Sequence, residues 1–408
     1  MSAERTSAER RPARVLAVSE AQIPSAVLGV NAVFEHLARD GRSCELRVAT
    51  SIELDPRDLA WADSVVLVRG ASPAERRILG EARRLGRFVA TYMDDDLERV
   101  PPGARSAFFF GSPRVAADIA AILRSADAVY VCSERLGAVL SERHRRATTL
   151  LRQPRPPRLP EELGPPPSVA AATNGAAGDG APIAIGFLGS VDHTAFIESL
   201  LARPLTALVR ERRDSLRLVF CGANPPFAWQ LDAHCESFDL DFTAWRRRAF
   251  ELGISIGLAP LPDTPFHRCK YFNKYLEYGS LGIVGIYSAV PPSADAVVDG
   301  ETGLLCPNEP AAWSAALLRL VDDRALRARL ARAAYEDVER RFSAEALEPG
   351  WRDTLAPLLA HRAPDISRSA VRLWHGPFRH ALDRLAVYGP RRFAERAVGR
   401  LTGRLRPG

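Results

Sequence analysis

The chain has 408 residues, 47% of them hydrophobic and 25% charged, which is ordinary for globular domains and long enough for two cores. It holds no apolar run of membrane-spanning length, and its start, MSAERTSAERRPAR, lacks an apolar signal core. A membrane-spanning or secreted protein is therefore set aside for a cytoplasmic one with a disordered N-terminus over residues 1–13. The net charge of +6 is unevenly placed: residues 366–408 carry ten arginines against Asp383 and Glu395, which leaves the rest slightly acidic.

From the N-terminus, RVLAVS (Arg14–Ser19) reads as a first strand, followed by a loop with Pro24 and Ser25 and a helix through VNAVFEHLARDG closed by Gly41. CELRVAT, SVVLVR, RFVATYM and DAVYVCS are further strands, alternating with helical patterns such as SPAERRILGEARRLG and RVAADIAAILRSA. That alternation is the mark of a parallel α/β sheet, here over residues 14–152. Residues 153–181 are rich in Pro, Gly and Ala and read as a linker. A second series, PIAIGFLGS, LRLVFCGA, ISIGLAPL, GIVGIYS and TGLLC, then gives a second domain over 182–345. A return helix over 346–362 and a basic amphipathic tail over 366–408 complete the chain. The six cysteines are scattered without a C-x-x-C pair, so free thiols are expected, with neither a disulfide frame nor a metal site.

Only two lysines, Lys270 and Lys274, stand among 55 basic side chains, and both lie in FHRCKYFNKYLEY. With Asp263 or Thr264 as N-cap and Pro265 in the first turn, Lys270, Lys274 and Glu277 fall at i, i+4 and i+7 on one helix face. Two ammonium groups one turn apart repel unless an anion lies between them. A diphosphate satisfies both, and a compact ammonium suits that task differently from a planar guanidinium.

LAPLPDTPFHRCKYFNKYLEYGSLGIVGIYS, followed by VVDGETGLLCPNEPAAW, resembles the C-terminal domain of GT-B glycosyltransferases, specifically the retaining glycosyltransferase family 4. The resemblance spans residues 14–360 and is strongest over 253–313. It implies two Rossmann-like doubly wound domains facing across a cleft, a nucleotide-diphosphate sugar as donor, a glycan or lipid-linked acceptor, and no bound cofactor. Lys270 and Lys274 then neutralise the leaving diphosphate, Glu277 holds the ribose, and Gly189, Ser190, His193, Gly222, Pro262, Asp263, Phe266 and Ser288 line the donor. Attack on the same face, with the leaving phosphate taking the acceptor proton, is what retention implies. The sequence lacks three residues that are common in the family. Cys269 stands where the first Glu of E-x7-E is common, and GSVDHTAF carries neither the Arg nor the Lys that often follows the first strand of this domain. The same fold also admits a nucleotide-sugar epimerase or an inactive scaffold.

On the N-terminal half, Ser25, Arg69 and the run Asp94, Asp95 and Asp96 follow strand ends and are expected to bind acceptor. The tail mixes arginine with Trp374, Phe378, Leu382, Leu385, Tyr388 and Phe393. That composition suits an anionic membrane surface or a disordered solubilising tail, and no nucleic-acid motif accompanies it.

Overall fold

Residues 11–159, 182–237, 241–373 and 376–390 are described by the structure, a computed structural model. Most of the expected disordered N-terminus, the middle of the linker, Trp374 and everything after Pro390 lie outside those residues. The chain divides into two units: residues 1–100, 106–152 and 348–408 form unit 1, and residues 101–105 and 153–347 form unit 2.

Unit 1 holds strands β1 (Ala13–Ser19), β2 (Cys44–Thr50), β3 (Ser64–Val68), β4 (Phe88–Met93), β5 (Ala128–Val131) and β6 (Thr149–Leu150). They form one parallel sheet in the order β2-β1-β3-β4-β5-β6. The middle strands are buried along their length because helices cover both faces, which is why they read as continuous apolar runs. The loop expected at Pro24 and Ser25 is shorter than the sequence suggested. A helical segment starts at Pro24, whose fixed φ suits a first helical position, and runs through a π-turn into the helix Ala32–Ala38. Gly29 lies in that turn because a Cβ there would come within 2.5 Å of the Tyr92 ring. The helix Ala344–Ala360 returns to unit 1, where Trp351 Nε1 donates to Arg152 O and Thr354 Oγ1 to Leu150 O.

Unit 2 holds β7 (Ile183–Gly189), β8 (Leu216–Gly222), β9 (His234–Glu236), β10 (Ile256–Ala259), β11 (Val284–Ser288) and β12 (Leu304–Cys306), again all parallel. Their order is β12-β11-β10-β7-β8-β9. Counted from β7, this is the 3-2-1-4-5-6 order of nucleotide-binding doubly wound sheets, with the switch point between β7 and β10. All six cysteines are free thiols. No described helix is long and apolar enough to cross a membrane.

The basic tail is partly folded onto unit 1. Its helix Pro377–Tyr388 buries Asp383 against Arg77 at 2.5 Å and Arg379 at 3.3 Å, pairs Arg384 with Glu20 at 2.7 Å, and stacks Tyr388 on Phe108. Part of the tail's charge is thus used in ion pairs inside the protein.

Candidate functional site

At the switch point of unit 2, β7 ends in Gly189, and Ser190 caps a short turn by accepting from Asp192 N at 3.3 Å. Gly189 is in close quarters: a Cβ there would stand 2.8 Å from the Phe187 ring and 3.4 Å from Lys274 Cε. Lys274 therefore lies along the glycine turn, and its Nζ donates to Glu277 Oε2 at 2.6 Å. Both side chains are partly buried. Tyr278 fixes the same helix to the sheet, because its hydroxyl donates to Leu258 O at 2.7 Å and accepts from Leu188 N at 3.4 Å. His193 packs against Phe187 with ring centroids 5.4 Å apart. Gly222, paired in register with Gly189, ends β8 at φ +88°, a conformation that glycine adopts without strain.

The expected single helix over the lysine stretch is not formed. Thr264 caps a short helix, Pro265–Arg268, and a second helix, Asn273–Ser280, starts five residues later. Lys270 sits in the break, with its ammonium 4.7 Å from the centroid of the Phe266 ring, while Lys274 and Glu277 share the second helix. The break has a packing cause. Tyr271 stacks on Phe272 at 4.0 Å and donates its hydroxyl to Gln153 O, while Phe272 packs on Phe342. Continuing the first helix would pull both rings out of these positions. Cys269, at the position where the family often has Glu, is buried.

Two donor candidates have side chains engaged within the protein. Asp263 does not cap the helix and is exposed, with Arg268 pairing both its oxygens at 2.5 and 2.8 Å. Ser288 is buried, and its hydroxyl works within the protein: it accepts from Leu261 N at 2.7 Å and donates to Asn308 Oδ1 at 2.6 Å. Asn308 Nδ2 in turn donates to Leu261 O at 3.0 Å. The last residue of VVDGETGLLCPN thus shapes the loop after β10, where Pro262 lies. Three polar atoms at this sheet edge escaped the sequence reading. Thr194 Oγ1, Asn224 Oδ1 and Asn273 Oδ1 are buried without a hydrogen-bond partner among the described residues. Thr194 opens the helix Thr194–Glu211 after the glycine turn, Asn224 follows β8, and Asn273 precedes Lys274. Asn224, two residues after the glycine that ends β8, was the available signal.

In unit 1 the acceptor candidates separate. Arg69, at φ +56° after β3, pairs with Asp94 at 3.3 Å and Asp95 at 3.2 Å, so it is not an open anion contact. Asp96 is fully buried, and Arg143 takes both its oxygens at 2.7 and 2.8 Å, which removes it from the acceptor set. Ser25 is half-buried in the helical segment after β1. Among the described residues no three His, Cys, Asp or Glu side chains converge as a metal set.

Near this edge Glu75 is fully buried in a capping box. Its Oε2 accepts from Ala71 N at 2.9 Å and Ser72 N at 3.0 Å, and Oε1 has no partner among the described residues. Burial, with the negative charge of Glu20 adding to it, pushes this carboxyl up to about 7 from an ordinary 4.5. A group that protonates more readily folded than unfolded stabilises fully below about pH 4.5, and that contribution is lost as pH rises to about 7. Thermal unfolding should therefore show stability falling between pH 5 and pH 8 by on the order of 3 kcal/mol from this group. Glu75→Gln should flatten that dependence, and an unchanged slope in the variant would place the proton elsewhere.

The two sheets, their strand orders and the glycine turn define an α/β protein of GT-B architecture. Residues 182–323 match the family described as "Glycosyl transferases group 1". Among solved structures, HepE of Anabaena in complex with UDP aligns with a TM-score of 0.54 at 13% identity, over 85% of this chain and 100% of that one. A glycosyltransferase of Rickettsia africae aligns at 0.57 and 12%, over 86% and 100%. Sucrose-phosphate synthase of Thermosynechococcus elongatus aligns at 0.57 and 16%, over 85% and 99%. No curated protein matches the sequence.

Proposed function

We propose that the chain moves a sugar from a nucleotide-diphosphate donor to a glycan or lipid-linked acceptor, with retention, in bacterial surface polysaccharide or glycoconjugate synthesis. The observation that carries this reading is Lys274 laid along the Gly189 turn and paired to Glu277 at the switch point of unit 2. Lys274 meets the negative charge that builds on the diphosphate as the bond to the sugar breaks. Glu277 accepts from the ribose hydroxyls, and Lys270 adds charge from the break between the two helices. Thr194, Asn224 and Asn273 offer unused polar atoms at the same edge. The acceptor oxygen bonds to the anomeric carbon, the carbon–phosphate-oxygen bond breaks, and the acceptor proton passes to the leaving phosphate. Acceptor contacts fall to Ser25, Arg69, Asp94 and Asp95. A lipid-linked acceptor places the enzyme at the inner face of a membrane.

HepE was crystallised with UDP, UDP and glucose, and UDP-glucose, which makes UDP the first nucleotide to test. In a thermal-shift series with UDP, GDP and ADP, one diphosphate should raise the melting temperature saturably. At a hundredfold excess over Kd the gain is about 2.7 kcal/mol. If none of the three, nor their sugar conjugates, moves the transition at millimolar concentration, the donor assignment fails.

A further inference from the structure

A cavity of about 700 Å³ in unit 1 lies between the helices Pro73–Arg84, Pro113–Ser125 and Pro377–Tyr388. Arg76, Arg77, Arg114 and Arg379 line it against Asp118 and Asp383, an excess of two positive charges. Arg77 and Arg379 converge on Asp383, and Arg76 lies 3.0 Å from Asp118. Arg114 donates to a carbonyl, Ala386 O, at 3.1 Å and has no carboxylate partner among the described residues. Its charge also acts on Asp118, without a direct ion pair. Pro73 and Arg76, and Arg114, come from the first turns of two of these helices, where the positive end of the helix dipole lies. Asp118 is buried with Oδ2 unpartnered among the described residues.

Beside this cavity the surface turns apolar. Phe378 (73% exposed) and Leu382 (36%) lie one turn apart on the tail helix, and Phe108, also exposed, stacks on its last residue, Tyr388. These are three of the seven large apolar side chains standing exposed among the described residues, so the feature is concentrated. The sequence beyond Pro390 adds six arginines against Glu395 alone. An arginine-lined cavity rimmed by exposed aromatic and aliphatic groups fits a ligand that is phosphate at one end and hydrocarbon at the other.

We propose that this cavity holds the phosphate headgroup of an anionic membrane lipid, with Phe378 and Leu382 entering the adjoining acyl region. The proposal rests on the membrane-side part of the function given above, but it is read out by vesicle binding, which needs neither donor nor transfer.

The test is cosedimentation of the full chain with phosphatidylcholine vesicles, with and without phosphatidylglycerol. Wild type should pellet with the anionic vesicles and not with pure phosphatidylcholine. The double variant Arg76→Gln/Arg114→Gln should bind more weakly by about fivefold per arginine. Phe378→Ser, at the most exposed position, should also weaken binding while leaving the melting temperature and any nucleotide-induced shift unchanged. Equal pelleting of wild type and variants would assign binding to the arginines after Pro390 and overturn the proposal. So would equal binding to neutral vesicles, or binding of inorganic pyrophosphate or an oligonucleotide, sensitive to the same substitutions, without vesicle binding. A missing nucleotide shift in every variant would count against the transferase reading and leave the vesicle result standing.

Discussion

Lys274→Ala should lower kcat/KM for sugar transfer by roughly 100- to 1,000-fold, a loss of about 3–4 kcal/mol in transition-state stabilisation. The drop should fall mainly on kcat, because the charge that Lys274 meets grows as the diphosphate leaves. Stability should move little, since the pair with Glu277 is only partly buried and the loss of such a pair costs about 1 kcal/mol or less. Lys274→Arg should not restore the rate. The Lys274 stem already runs close to Gly189, and a planar guanidinium places its charge farther out and in a wider fork. Lys270→Ala should cost less, about tenfold or under, because Lys270 lies off the helix that holds Lys274 and Glu277, with its ammonium over the Phe266 ring. Steady-state kinetics on the three variants with the nucleotide sugar found by thermal shift separate the outcomes. A Lys274→Ala enzyme with normal kcat, beside a collapsed Lys270→Ala enzyme, would move the diphosphate contact to Lys270.

That contrast between the lysines was not legible in the sequence, and the reason is physical. Periodicity at i, i+4 and i+7 reports what a helix would do if it ran on. Nothing local stops this one: no Pro or Gly lies between Arg268 and Asn273. The stop comes from Tyr271 and Phe272 packing on Gln153 and Phe342, partners roughly 70 to 120 residues away in the chain. By contrast, SVVLV and VGIYS announced themselves as strands because they are buried on both faces, and the Gly189 turn was legible because glycine marks close approach. The edge strands β6 and β9 were missed. Each is two or three residues long and half-exposed, and each exists because a neighbouring strand pairs with it. The tail misled in a different way. Its composition is that of a solvated basic segment, yet its one acidic residue within the docked helix, Asp383, is what Arg77 holds.

The run Asp94–Asp96 gives the second large expectation, and it falls on stability. Asp96→Ala should destabilise the protein by about 3 kcal/mol, the lower end of what breaking a buried ion pair costs. The lower end applies because Arg143 keeps Glu98 at 2.7 Å, and Glu98 also takes His144 at 2.7 Å. Hydrogen bonding to Asp96 and Glu98 holds the Arg143 guanidinium above its ordinary pKa, so its charge persists at any pH where the fold survives and must find another partner. For a unit of this size the melting temperature should fall by about 6–12 °C. Asp95→Asn should behave differently. Arg69 retains Asp94, so the fold should hold, and the change should appear in KM for the acceptor. The comparison distinguishes two carboxylates that adjoin in sequence: one is committed to a guanidinium 47 residues away, while the other stands beside an arginine at a strand end. If Asp96→Ala melted like wild type while acceptor KM rose more than about tenfold, the bidentate pair would be dispensable to folding, and Asp96 would return to the acceptor set.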